Sequence, residues 1–276
     1  MLTDTHAHLD FPDFASDFDA VLARAEAAGV HRIITIGTTV EGSHRAVALA
    51  ERHRNVFATV GIHPGQAHET NPDFIPQLRT LARSPRVVAI GEIGRDHHRL
   101  PSILQPGPDA DIATQDQAIK DAQASVFAQQ LTLAAELGLN VVIHERDAWD
   151  DTLAQLAPYH GRLRAVFHCF GKSPQHARQL LAHNHLVSFT GIVTFKNAAV
   201  VQETARSLPA GTFMFETDCP FLAPVPHRGK RAEPGQVRII AQHIADLRSQ
   251  SLEELALQTE ATANNFFRFS PSPDCP

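Results

Sequence analysis

Met1-Leu2-Thr3-Asp4-Thr5-His6-Ala7-His8 opens the chain. Met1–Thr5 has the composition of a short strand. The position just after it, where a dinucleotide-binding fold carries its glycine fingerprint, holds two histidines instead. More short, apolar and β-branched runs follow at Arg32–Ile36, Val56–Gly61, Val87–Ile90, Asn140–Ile143, Ala165–Phe167, Leu186–Phe189 and Thr212–Phe215. Stretches of helical period separate them, among them Phe18–Ala28, Glu41–Arg52, Ala124–Leu137 and Pro174–His183. Ser173-Pro174 suits a helix start, with a serine cap and a proline in the first turn. Ser251-Leu252-Glu253-Glu254 fits a capping box. Strands alternating with helices imply a parallel sheet, open or closed. With the glycine fingerprint missing, the expected fold is α/β: a TIM (β/α)8 barrel, a single domain over residues 1–268, with 269–276 as a C-terminal tail.

Residues 99–123 break the rhythm. Pro101, Pro106, Gly107 and Pro108 are followed by polar and acidic residues with no apolar stripe, so an irregular loop is expected after the fourth strand. The totals fit a globular protein: 276 residues, 43% hydrophobic and 20% charged, enough to bury a core and too evenly mixed for disorder. A formal net charge of −6 argues against a broad basic surface for nucleic acid, although bound cations would add positive charge locally. Cys169, Cys219 and Cys275 are too scattered for a disulfide framework. No basic-then-apolar leader and no run of membrane length is visible, so a cytoplasmic protein with no membrane association is expected. Nothing in the sequence implies a protein partner.

The chemistry-bearing residues cluster just after strands. His6 and His8 follow the first, Glu92 the fourth, His144 the fifth, His168 the sixth and Asp218 the eighth. Parallel barrel strands all point the same way, so these side chains are expected on one rim, the usual active-site face. Side chains alternate along an extended segment, which puts the His6 and His8 imidazoles on one side, suited to gripping one cation. Each residue alone reads equally well as an ordinary strand-end group. Six ligand-type residues at equivalent ends of several strands favour a metal centre. His63, after the third strand on the same rim, is a candidate substrate contact. Arg146, just past His144, and the basic loop Arg228, Lys230 and Arg231 are candidates for holding phosphate. Alternation aims Cys169 and Cys219 away from the rim, as buried thiols.

Asp4-Thr5-His6-Ala7-His8-Leu9-Asp10 resembles the opening motif of the TatD-type deoxyribonucleases of the amidohydrolase superfamily. So do Val60-Gly61-Ile62-His63-Pro64, Ile90-Gly91-Glu92-Ile93-Gly94, Val142-Ile143-His144, Val166-Phe167-His168-Cys169-Phe170 and Glu216-Thr217-Asp218. The similarity runs on from Pro220 to Arg231. This resemblance implies a TIM barrel with a two-metal centre that hydrolyses phosphodiester bonds of DNA, trimming single strands from the 3′ end. It implies that His6, His8 and Asp218 hold one divalent ion, that His144 and His168 hold the other, and that Glu92 bridges them. Zinc, manganese or magnesium would serve, imidazole favouring the first two. Asp218 and Glu92 would be the catalytic carboxylates. Departures at Gly65, Arg95, Glu145 and Gly171-Lys172-Ser173 fall around the rim and touch no expected ligand. The same ligand plan would also suit hydrolysis of a small amide, ester or lactone. One branch of that chemistry uses a bridging lysine from strand four, and here Glu92 stands there. A non-catalytic barrel would be expected to show gaps in the ligand set, and none is found.

Overall fold

The computed structural model describes residues 1–105 and 110–269. Eight strands pair in chain order, each parallel to the next: β1 (Leu2–Ala7), β2 (Val30–Thr35), β3 (Val56–Val60), β4 (Val87–Asp96), β5 (Asn140–Arg146), β6 (Ala165–Phe167), β7 (Leu186–Phe189) and β8 (Phe213–Phe215). The two edges meet at one mouth. Ala7 bridges to Cys219, the His8 N–H donates to the Cys219 carbonyl at 2.8 Å, and the Asp218 N–H donates to the His6 carbonyl at 2.9 Å. Around the strands lie α1 (Phe18–Ala27), α2 (Val40–Arg52), α3 (Phe74–Leu81), α4 (Pro101–Leu104), α5 (Ala110–Leu137), α6 (Trp149–Leu156), α7 (Pro174–Leu181), α8 (Ala199–Ser207), α9 (Val237–Arg248) and α10 (Leu252–Phe267). This is the expected barrel, one domain with helices outside. Among the described residues no helix is long and apolar enough to cross a membrane.

Strand alternation sorts the core into two sets. Val141, Ile143, Ala165, Phe167, Val187, Phe213 and Phe215 belong to the layer shared with the surrounding helices. Their neighbours Val142, Val166, Leu186 and Met214 form a second cluster with Phe57 and with Phe266 and Phe267 of α10. That cluster is the barrel interior. Helix α10 seats it at the strand-start end, where Thr3 Oγ1 donates to Glu260 at 2.7 Å and Asn140 Nδ2 donates to the Phe266 carbonyl at 2.6 Å. His144, His168 and Glu216 continue the inward parity of Val142, Val166 and Met214, so the same alternation that packs the interior aims them at the opposite mouth. Ser251 caps α10 by accepting the Glu254 N–H at 3.1 Å, as its capping box predicts. Ser173 does not cap α7; its hydroxyl pairs with His176 Nδ1 at 2.8 Å.

The irregular loop expected over 99–123 is a helix for much of its length. Pro101–Leu104 forms one turn and α5 begins at Ala110; residues 106–109, like 270–276 of the expected tail, lie outside the described residues. The first half of α5 lacks an apolar stripe, and two glutamines help dock the helix. Buried Gln123 accepts the Asp96 N–H at 3.0 Å and donates to the Asp96 carbonyl at 2.9 Å. Gln130 does the same for Ile62, at 2.7 and 3.1 Å. Each amide side chain satisfies both backbone groups of a rim residue.

At the far end of the barrel, buried His185 accepts the Ala165 N–H at 3.1 Å, with His160 and His183 stacked on each other beside it, centroids 3.8 Å apart. Burial, then the charges of His160, His183 and Arg164, hold His185 down to about 4. Its folded pKa lies below the unfolded value of about 6.5, so the unfolded chain binds more protons between the two. The stabilisation is complete above pH 6.5 and falls as the pH drops toward 4, by about 3 kcal/mol in all. Urea midpoints at pH 7.5 and 5 measure this. His185→Asn, which keeps an acceptor but does not titrate, is expected to show a smaller drop than the wild type; equal drops would contradict it.

Candidate metal centre

Two strands run further toward the mouth than their apolar runs suggest. β4 continues past Ile90 to Asp96 and β5 past Ile143 to Arg146, pairing Gly94 with His144, Arg95 with Glu145 and Asp96 with Arg146. His144 therefore sits on backbone paired to Gly94, while Glu92 lies at a register shift between Ile90 and Ile93, its N–H donating to the Gly37 carbonyl at 2.9 Å. His6 lies within β1, and His8 and His168 one residue past β1 and β6. Asp218 stands in the left-handed region (φ 56°), with its N–H held by the His6 carbonyl.

All six converge. His6 Nε2 lies 3.5 Å from both Glu92 Oε2 and Asp218 Oδ1, and His8 Nε2 is 3.3 Å from Asp218 Oδ1. Glu92 Oε1 is 2.7 Å from His144 Nδ1 and 2.7 Å from His168 Nε2. Ligand atoms of His6, His8 and Asp218 lie within 4.8 Å of one another, as do those of His63, Glu92 and His144 and those of His6, His168 and Glu216. Both ring nitrogens of His6 and Nδ1 of His8 and His168 are buried with no hydrogen-bond partner. Buried polar atoms in proteins are almost always satisfied, so unsatisfied imidazole nitrogens converging beside carboxylates fit a divalent cation. The centre floors a cavity of about 720 Å³.

The carboxylates are strongly held in their charged form. Burial pushes Glu92 up, but the charges of His168 and His63 and hydrogen bonds from His144 and His168 outweigh it, leaving the group well below its ordinary range. Asp218 follows the same pattern, burial being overcome by the His8 hydrogen bond and the charges of His6 and His8. His144 and His168 are raised, burial being overcome by Asp96 and Glu92 for the first and by Glu92 and Glu216 for the second.

Two carboxylates that composition and spacing did not single out stand behind the histidines. Asp96 Oδ2 lies 3.2 Å from His144 Nε2. Glu216 accepts the Cys169 N–H at 2.6 Å and the Ser188 hydroxyl at 2.7 Å, and faces His168 Nδ1 at 3.6 Å. Such partners fix ring orientation. Their only sequence signal is an inward position on a strand already carrying a ligand-type residue.

His63 comes closer than a rim position implies, its Nε2 3.2 Å from His144 Nδ1 and 3.8 Å from Glu92 Oε1. Its Nδ1 accepts the Gly65 N–H at 3.0 Å. A neutral ring with Nδ1 so engaged carries its proton on Nε2, which makes His63 a donor into the site. Burial, together with the charges of His144 and His168, holds it down to about 4, against the pull of Glu92. Arg146 borders the cavity, joined by Arg99 and Lys172. Arg228 and Lys230 are not brought to it: Arg228 lies over the Phe195 ring at 4.4 Å, and Lys230 is exposed in the same loop. Arg231 is paired with Asp17 and Glu233, each at 2.8 Å. Cys219 is buried, but Cys169 borders the cavity, because a left-handed φ of 48° breaks the alternation assumed for it. Burial pushes its thiol up to about 12, so it is not a thiolate nucleophile.

The chain is similar to known proteins over nearly all its length. It is 36% identical over 271 residues to the uncharacterized metal-dependent hydrolase YabD of Bacillus subtilis, covering 98% of this chain and 100% of that protein. It is 34% identical over 270 residues to the 3′-5′ ssDNA/RNA exonuclease TatD of Enterobacter lignolyticus, covering 96% and 98%. The crystal structure of YjjV, a TatD homolog from Escherichia coli K12, superposes with a TM-score of 0.85 at 29% identity over 98% of each chain. The family profile described as TatD related DNase matches residues 3–268. The chain belongs to the TatD-related DNase family of metal-dependent hydrolases.

Proposed function

We propose that this protein hydrolyses phosphodiester bonds at the 3′ end of single-stranded DNA, using two divalent ions at the barrel mouth. The observation that carries this is the pose of Glu92, with one oxygen toward His6 and the other against His144 and His168. A carboxylate so placed is suited to bridging. His6, His8 and Asp218 would hold one ion and His144 and His168 the other. The imidazole-rich donor set suits zinc or manganese better than magnesium. When bound, such a pair neutralises phosphoryl oxygens and lowers the pKa of water toward neutrality.

The chain's own groups complete the chemistry. Asp218, held ionised, is placed to accept the proton of the attacking water. His63 donates its Nε2–H toward a phosphoryl oxygen. Arg99, Arg146 and Lys172 line one wall and pair with backbone phosphates. The exonuclease named among the relatives supports this substrate class.

Elemental analysis and assay of a labelled single-stranded oligonucleotide test the proposal. Mononucleotide release is expected, lost on chelation, restored by zinc or manganese, and abolished by Glu92→Ala and His168→Ala. Undiminished cleavage by chelated, metal-free protein would refute it.

A further inference from the structure

In a barrel of this order, β8 and β1 are neighbours and face β4 and β5 across the mouth. Of the basic side chains of the cavity, Arg146 ends β5, and Arg99 and Lys172 follow β4 and β6. The facing lip, built from the segments after β1 and β8, is aromatic. Phe221 is 50% exposed there, and both it and Phe11 border the cavity that holds Glu92 and Asp218. The Phe221 ring stands edge-on to Phe11, centroids 6.1 Å apart at 79°, and edge-on to His8 at 6.1 Å, while Phe11 stacks on His8 at 4.7 Å.

Loose chain does not explain this exposure. The Phe221 N–H donates to the Asp218 carbonyl at 3.0 Å, and the Ala232 N–H donates to the Pro220 carbonyl at 2.9 Å. The next residue packs so closely on Gly191 that a Cβ there would lie 2.0 Å from the Leu222 carbonyl oxygen. A large apolar ring is thus held half in water by fixed backbone, beside the candidate metal centre and across from Arg99, Arg146 and Lys172, the last paired with Glu145 at 3.3 Å. Beyond it, a second hollow of about 370 Å³, lined by Ile192, Phe195 and Val200 among others, shares Ile192 and Leu222 with the main cavity and carries the apolar lip outward.

We infer that Phe221, braced by Phe11, is the platform on which the terminal nucleobase of a single-stranded substrate stacks, while its phosphates lie along Arg99, Arg146 and Lys172. This deepens the nuclease reading and rests on it. A planar apolar face opposite a row of cations matches the two sides of a nucleotide. Aromatic stacking tolerates any base, so such a platform would bind without sequence readout.

The test uses two oligonucleotides identical except that one lacks its 3′-terminal base. Their binding is measured on chelated protein, with 2-aminopurine quenching reporting the stack, and their KM on metal-loaded protein. The base-bearing strand is expected to bind about tenfold more tightly, the size of one aromatic–base contact. Phe221→Ala is expected to bring that ratio below about twofold, and Phe221→Trp to keep it. Equal binding of the two strands by the wild type, or an undiminished ratio in Phe221→Ala, overturns the platform. If the strands are cleaved with equal KM, the platform falls and the nuclease reading stands. Base-dependent binding with no cleavage of either strand supports the platform and refutes the nuclease reading.

Discussion

Glu92→Gln is expected to lose bound metal and to lower turnover by about a thousandfold or more, equivalent to about 4 kcal/mol of transition-state stabilisation, while the fold survives. The amide keeps the shape of the side chain and removes its charge. Both Glu92 oxygens face imidazole nitrogens, Oε1 touching two of them at 2.7 Å, so the substitution strikes every histidine pair at once. An amide oxygen is a weak ligand and would not balance the two dications of the proposed centre. The apoprotein is expected to tolerate the change because an imidazole that loses its carboxylate partner gives up its proton rather than remaining as a buried, unpaired charge. Metal content by elemental analysis, oligonucleotide turnover and a thermal melt separate the outcomes. A variant that retained its metal and most of its turnover would show that Glu92 is not shared between ions.

Much of this geometry is legible in the chain because strand-end position is a one-dimensional signal. Once the β-branched runs are ordered, His6, His144 and His168 follow their strands by counting, and inward parity with Val142 and Val166 does the rest. What counting misses has physical causes. β4 and β5 continue through Glu92, Arg95, Asp96, Glu145 and Arg146, charged residues that hide strands whose pairing resumes at Ile93 after a register shift between Ile90 and Ile93. The first half of α5 reads as loop because it carries no apolar stripe, and its buried anchor is Gln123, which grips the Asp96 backbone. Asp96 and Glu216 act on His144 and His168 from other strands, a relation that appears only when the sheet closes. Arg228 shows the opposite limit. Three basic residues close in sequence suggest one surface, yet Arg228 lies over Phe195 while Arg231 turns to Asp17 and Glu233.

The extension of β4 makes Gly94→Ala the most damaging small substitution outside the ligand set. Gly94 has φ +143°, where side chains are strained, and an added Cβ would lie 2.0 Å from the carbonyl oxygen of His144. That atom belongs to the paired strand and cannot swing aside as a flexible side chain would. Backbone strain of about 1–3 kcal/mol and overpacking of about 1–3 kcal/mol together predict a loss of about 4 kcal/mol, a large part of the about 5–15 kcal/mol that holds a typical domain folded. Relief is possible only by pushing β5 outward, and β5 carries His144, so turnover should fall further than partial unfolding explains. Gly138→Ala supplies the control. Gly138 also has a positive φ, +67°, with nothing within 4 Å of its added Cβ, so it isolates the conformational cost of about 1–2 kcal/mol. Urea denaturation of both variants, with turnover measured where each is fully folded, decides the matter. If Gly94→Ala proved no less stable and no less active than Gly138→Ala, then β4 does not press on β5 at His144, and the rigidity assigned to that side of the metal centre would be wrong.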